Sequence, residues 1–414
     1  MSRKVVVTGI GALTPIGNNA KGYEQGLFSG ISGAGYITRF DASKFKTRFA
    51  CEVKGFNPED FLEKKEARRL DAFVQYGIAT AHEAFLDADL DRCEIDSEKC
   101  GVIWASGIGG LDTLVEEIGN FARGDGTPKF NPFFIPKTII DIAAGHISIR
   151  YGFRGPNVAT VSACASSSHA LFEALNLIRN GKADLIICGG SEAAVNPAGI
   201  GGFNAMHALS TRNDSPETAS RPFDKGRDGF VLGEGAGAMV LESLEHAQKR
   251  NARIYAELAG AACTADAHHI TAPHPEGLGA QRVMELCLLD AGFKPEDIDY
   301  INVHGTSTPL GDVAETKAIL KVFGEHAYQL NISSTKSMTG HLLGAAGIIE
   351  ALACVFALKR QEIPPTINHF EDDPEIDNSL NFTFNIPQKR LVRAALSNTF
   401  GFGGHNASVI FKEF

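Results

Sequence analysis

Short apolar runs alternate with longer stretches of helical periodicity along the whole chain. Runs at 5–8, 101–105, 159–162, 185–188, 236–241, 254–260, 300–303, 330–333, 394–397 and 407–411 are rich in β-branched residues and predict strands buried on both faces. Helical patterns fall at 68–88, 166–180, 244–249, 279–291, 312–322 and 342–360. This alternation predicts an α/β fold with largely parallel sheets. The stretch 342–360 is apolar on nearly every face, so it predicts a helix covered on all sides. A layer of helices between two sheets accounts for it. Two interlocked units meeting near Asn251, 1–250 and 251–414, are the expected division, and no short-period repeat is visible.

Composition narrows the function. The chain has 414 residues, with 39 Lys+Arg against 49 Asp+Glu and a net charge of -10, which disfavours a nucleic-acid binder. No apolar run approaches the ~18 residues of a membrane span. The start, Met1-Ser2-Arg3-Lys4, followed by an apolar run, is broken by Gly9, Gly11 and Pro15, so it reads as a strand and not a signal peptide. A cytoplasmic protein is expected. The eight cysteines form no Cys-x-x-Cys pair and are too sparse for a disulfide scaffold.

Three segments place reactive side chains where a strand meets a helix or loop. Cys164 stands where the run ending at Ser162 meets a helix, where dipole and free N–H groups would lower a thiol pKa. For an arbitrary cysteine a buried structural role is much the commoner reading, and the junction position alone lifts this one moderately above the other seven. His169, five residues on, is expected to be structural. His304 follows the run at 300–303 into a Gly/Thr/Pro loop containing Thr306 and Thr308, with Asp312 expected to cap the next helix. The alternatives are a surface histidine and hydroxyls that only cap the turn. Lys336 and His341 flank a tight turn before the apolar helix, where the dipole would keep His341 neutral. Glu350, a charge inside that helix, demands a partner, and Lys336 is the candidate. The Gly-rich loop 398–406 suits either anion binding or a hairpin.

With Cys164, His304, Lys336 and His341 in this order, the sequence resembles the β-ketoacyl-acyl carrier protein synthases, most nearly the elongating type of dissociated fatty acid synthesis. The resemblance runs from Val5-Val6-Val7-Thr8-Gly9 through Ser106-Gly107-Ile108-Gly109-Gly110, Arg221-Pro222-Phe223-Asp224 and Gly233-Glu234-Gly235 to the loop at 400–406. It implies a thiolase fold: five layers, αβαβα, with two pseudo-symmetric halves. It also implies decarboxylative condensation of an acyl chain on Cys164 with a malonyl thioester, giving a 3-oxoacyl thioester and carbon dioxide.

By resemblance, Cys164 is the nucleophile, His304 and His341 support decarboxylation, and Lys336 organises the site. Phe402 supplies an oxyanion N–H and a gate. Thr306 and Thr308 bind the phosphopantetheine arm, and Ile108 and Phe203 line the acyl pocket. Phe400 and Glu350 complete the substrate-binding set. Lys64, Lys65, Arg68, Arg69 and Lys129 are the expected carrier-binding patch, or else a solvated helix face. The implied partners are acyl carrier protein and a second copy of the chain, with no nucleic acid and no membrane. No organic cofactor or catalytic metal is implied. The resemblance leaves a structural monovalent cation open, and no ligand set for one stands out. His405 stands where the family often has Thr, and His207 where it often has Arg. The rivals are a ketosynthase of polyketide or other specialised acyl chains, a silent acyl-binding subunit, which the intact reactive residues disfavour, and a thiolase-like enzyme, which lacks its second cysteine here.

Overall fold

The computed structural model describes residues 3–414; Met1 and Ser2, part of the basic start noted above, lie outside the described residues. Ten strands form the main sheet, and each overlaps one of the ten predicted runs. In chain order they are Val5–Leu13, Cys100–Ala105, Asn157–Thr160, Leu185–Glu192, Gly235–Ser243, Ala256–Ala265, Tyr300–Asn302, Asn331–Ser333, Ala394–Gly401 and His405–Lys412. The first five lie side by side in the order third, second, fourth, fifth, first. The last five repeat that order. The two sets join through a two-residue antiparallel pairing, Val6 with Glu257 and Val7 with Ala256.

The sheets are mixed, not largely parallel. Cys100–Ala105 runs parallel to both its neighbours, as does Tyr300–Asn302. The other five pairings are antiparallel. Strands covered on both faces read as continuous apolar runs in either direction, so periodicity does not reveal polarity.

Five layers result. Ala72–Asp87 covers the outer face of the first strand set, and Leu278–Ala291 with Pro309–Phe323 that of the second. Between the sheets lie Ser166–Arg179 and Ala346–Arg360. Every residue from Ala346 to Leu358 is buried, as the all-apolar pattern requires. The two central helices approach closely at Gly347, where a Cβ would stand 2.1 Å from Ser168 Oγ.

The helix expected over 68–88 starts later, at Ala72, and a separate short helix precedes it. Lys64–Ala67 forms a single turn, and Ala72–Asp87 starts afresh because the Asp71 side chain accepts from Phe73 N–H as its cap. Pro309 opens the helix expected at 312, with Thr308 at the cap position; Asp312 is buried in its first turn and does not cap it. Among the described residues, no helix is long and apolar enough to cross a membrane.

Candidate active site

Both central helices start in the same way. A residue with positive φ leads a one-turn 3₁₀ segment, and the α-helix follows. In one the leader is Ala163 (φ 51°), with the segment Ala163–Ala165; in the other it is Leu343 (φ 47°), with Leu343–Ala345. The first turn carries Cys164 into a cavity of about 640 Å³. His304 enters from the loop after Tyr300–Asn302, and His341 from the turn before the second central helix. A sulphur and two ring nitrogens of Cys164, His304 and His341 lie within 4.8 Å of one another. The imidazole rings stand edge to face, with centroids 5.3 Å apart. Phe230 packs edge-on against His341, also at 5.3 Å.

Electrostatics sets the resting protonation. Burial holds the His304 and His341 pKa values well below the usual range, and the Lys336 charge lowers them further. Both rings are neutral at pH 7, each carrying one N–H. The expected low thiol pKa is corrected here. Burial pushes Cys164 up to about 11, outweighing the opposing pull of Lys336 and of the Phe402 N–H that donates toward it. Desolvation of a charge costs more than a helix end returns. The resting nucleophile is a thiol.

Lys336 is buried, and its ammonium donates to Glu350, the partner anticipated for it. Burial raises the Glu350 pKa to about 7, opposed by the lysine. Thr306 and Thr308 line the cavity, their hydroxyls bonded to each other at 3.0 Å, and Thr308 makes no side-chain cap bond. Ile108, Phe203, Phe400 and Phe402 also line it. Gly401 lies against the turn, where a Cβ would stand 3.2 Å from Cys164 N. The Gly-rich loop is the hairpin between the last two strands. His169 is outside the cavity and bonds Ser162 Oγ at 2.5 Å.

His207 lies at the cavity wall with φ 55°, whereas His405 is exposed and faces the His169 ring at 6.4 Å. Lys64, Lys65, Arg68 and Arg69 are exposed on and beside the short helix Lys64–Ala67. Arg69 sits over the Phe133 ring, and Lys64 pairs with Glu59 at 3.6 Å. Lys129 is exposed.

Sequence reasoning missed three groups. Glu315 accepts from His304 N–H at 2.9 Å and Gly305 N–H at 2.8 Å, fixing the loop that carries His304. Glu192 ends a wholly buried strand beside the cavity. Leu343 lines the cavity from the second turn. Glu192 closes a buried strand, whereas Glu315 lies inside the helix Pro309–Phe323 and closes no apolar run. Cys164, His304 and His341 each offer one ligand atom within 4.8 Å of the others, a soft set, while the buried Asn302 Oδ1, Glu350 Oε2 and Ser397 Oγ have no hydrogen-bond partner.

Residues 2–247 match the family described as Beta-ketoacyl synthase, N-terminal domain, and 255–370 its C-terminal domain. The chain is 50% identical over 412 residues to the 3-oxoacyl-[acyl-carrier-protein] synthase 2 of Synechocystis, covering 100% of this chain and 98% of that one. It is 50% identical over 414 residues to the enzyme of the same name from Staphylococcus aureus strain COL, covering 100% and 99%. A solved β-ketoacyl synthase from Burkholderia phymatum superimposes with a TM-score of 0.92 at 34% identity, each chain fully covered. A type II polyketide ketosynthase, solved with its acyl-carrier protein and bound to the hexaketide, superimposes at 0.91 and 32%, again with full coverage. With both family models matched and relatives aligned over the full length, the chain belongs to the β-ketoacyl synthase family.

Proposed function

We propose that the chain is an elongating 3-oxoacyl-acyl carrier protein synthase. The observation that carries this reading is one thiol and two neutral imidazoles within 4.8 Å in a cavity that suits an acyl thioester. Cys164 gives up its proton and attacks the acyl thioester carbonyl. The negative charge on that oxygen meets the N–H groups of Cys164 and Phe402, each donor of this kind contributing about 3–4 kcal/mol. The carrier thiol leaves with the proton, and the acyl chain stays on sulphur. A malonyl thioester then occupies the same cavity. Its carboxylate departs as carbon dioxide, and the freed electron pair forms an enolate whose oxygen accepts N–H donation from His304 and His341. The enolate carbon attacks the acyl carbonyl, Cys164 leaves as thiolate and is reprotonated, and a 3-oxoacyl thioester two carbons longer results.

The other site residues take supporting roles in this reading. Lys336 keeps both histidines neutral while Glu350 balances it. Thr306 and Thr308 meet the pantetheine arm, Phe400 and Phe402 border its path, and Ile108 and Phe203 border the acyl chain. Lys64, Lys65, Arg68, Arg69 and Lys129 dock an acidic carrier. We place the boundary between the two units at Asn251, supported by the repeated strand order, and assign the enzyme to the cytoplasm. A homodimer is proposed on the exposed edge strand Asn157–Thr160 and the exposed apolar side chains Val158, Val161 and Ile118.

Intact-protein mass spectrometry tests the chemistry. Wild type mixed with a long-chain acyl carrier thioester gains one acyl mass, Cys164→Ala gains none, and malonyl carrier discharges the adduct as the 3-oxoacyl product. Absence of an adduct at every chain length overturns the reading. The polyketide reading draws on the full-length match to that ketosynthase at 32% identity, below the 50% shared with the elongating enzymes. It requires repeated extension without reduction.

A further inference from the structure

Glu192 is fully buried at the end of the strand Leu185–Glu192. Its carboxylate receives four hydrogen bonds. Ser106 Oγ and Ile108 N–H donate to one oxygen, at 2.9 and 3.1 Å. Gly107 N–H and Gly344 N–H donate to the other, at 2.7 and 2.9 Å. Three of these donors are backbone groups that cannot accept, so the acceptor-only carboxylate is the form the pocket fits. Space is made for it by glycine. A Cβ on either Gly107 or Gly344 would stand 2.8 Å from Glu192 Oε2.

The two segments so joined face the cavity. Gly107 and Ile108 line it from one strand end, and Leu343 lines it from the turn that opens the second central helix. Gly344 occupies the place in that turn that Cys164 occupies in the first. Where the first turn keeps its N–H beside the reactive sulphur, the second turn has its N–H filled by a side chain of the protein itself.

We propose that Glu192 is a specificity-determining positioning residue: its carboxylate ties the Ser106–Ile108 segment to the Leu343–Ala345 turn and so sets the width of the acyl end of the cavity. This rests on the acyl-transfer reading above. Replacing the carboxylate by an amide turns one acceptor into a donor facing N–H groups, which parts the two segments and admits longer chains.

The test measures acylation rates of wild type and Glu192→Gln with six- and sixteen-carbon acyl carrier thioesters, alongside melting temperatures. The ratio of the long-chain to the short-chain rate is expected to rise about fivefold or more in the variant. A variant whose rates fall by one common factor at both lengths overturns the proposal, because a merely structural loss has no chain-length signature. If Glu192→Gln does not fold, Ser106→Ala, which removes a single donor, is read by the same ratio and decides in the same way. Wild type that takes no acyl group at either length overturns the acyl-transfer reading and this inference with it. Wild type that is acylated beside a variant of unchanged ratio overturns the inference alone.

Discussion

The imidazoles of His304 and His341 stand edge to face with centroids 5.3 Å apart, and burial followed by the Lys336 charge keeps both neutral. Unfolded histidine titrates near 6.5. Below that pH the unfolded chain takes up protons that the folded rings refuse, so stability falls as pH falls toward the depressed folded values. Each ring contributes a slope of up to about 1.4 kcal/mol per pH unit in that window. Urea unfolding of wild type and His341→Asn at pH 7.5 and 5.5 isolates one ring. Wild type should lose about 1 kcal/mol more than the variant on acidification. An equal loss in both would mean that His341 titrates normally.

The thiol at Cys164 predicts a distinctive alkylation profile. With a pKa pushed up to about 11 by burial, its thiolate fraction grows tenfold per pH unit through the neutral range. Iodoacetamide labelling followed by peptide mass analysis should therefore show a log rate rising with unit slope from pH 7 to 9. A plateau below pH 8 would identify a thiolate at rest.

Removing one partner of the Lys336–Glu350 pair strands a buried charge. Lys336→Ala is expected to cost about 3–5 kcal/mol, and Lys336→Met with Glu350→Gln to recover much of it. The double variant should still lose condensing activity, and the His304 and His341 pKa values should move upward without the cation. Chemical denaturation and the acid limb of the malonyl decarboxylation rate are the measurements.

Gly344→Ala places a Cβ 2.1 Å from Gly107 N. Strain of this kind costs about 1–3 kcal/mol or more. Acylation of Cys164 should fall with it, because the segment displaced carries Ile108. A variant with wild-type melting temperature and acylation rate would show that the turn relaxes freely.

The proposed dimer is tested at its edge strand. Val158 is 47% exposed there, on a strand with no neighbour on its outer side among the described residues. Analytical ultracentrifugation should give a dimer for wild type and a monomer for Val158→Glu. A wild-type monomer at micromolar concentration would remove the basis for a shared edge.

All ten strand cores were legible because each is a short apolar run between breakers. The central helix was legible because a pattern apolar on every face has one physical home. Strand direction was not, since cover on both faces erases the alternation that would distinguish the antiparallel pairs. Ala20–Phe28 and Ile142–Tyr151 carry mixed faces with little period, whereas Leu111–Arg123 has a clear helical period, with apolar residues at 111, 114, 115, 118 and 121, and was overlooked. At the site, Cys164, His304, Lys336 and His341 drew notice as reactive types at element junctions. Glu192 and Glu315 act by receiving backbone N–H groups from distant segments, and nothing local in the sequence records such a bond. The thiol pKa was misjudged because the dipole is a local property, whereas desolvation depends on everything packed around it.

The two central helices begin at neighbouring turns, and both turns border the cavity. No lysine or arginine lines that cavity among the described residues. Each helix start is equivalent to about half a positive charge. The second is already met by the Glu192 carboxylate, which accepts from Gly344 N–H, so the share left open to the chamber is the one at Cys164, carried by peptide groups. Such a field has no proton to lose. Buried inside the protein, it is also largely beyond the reach of dissolved ions. The pull of the first helix start on negative charge at Cys164 is thus built into the chain path and persists across pH and salt, while the exposed cations outside respond to both.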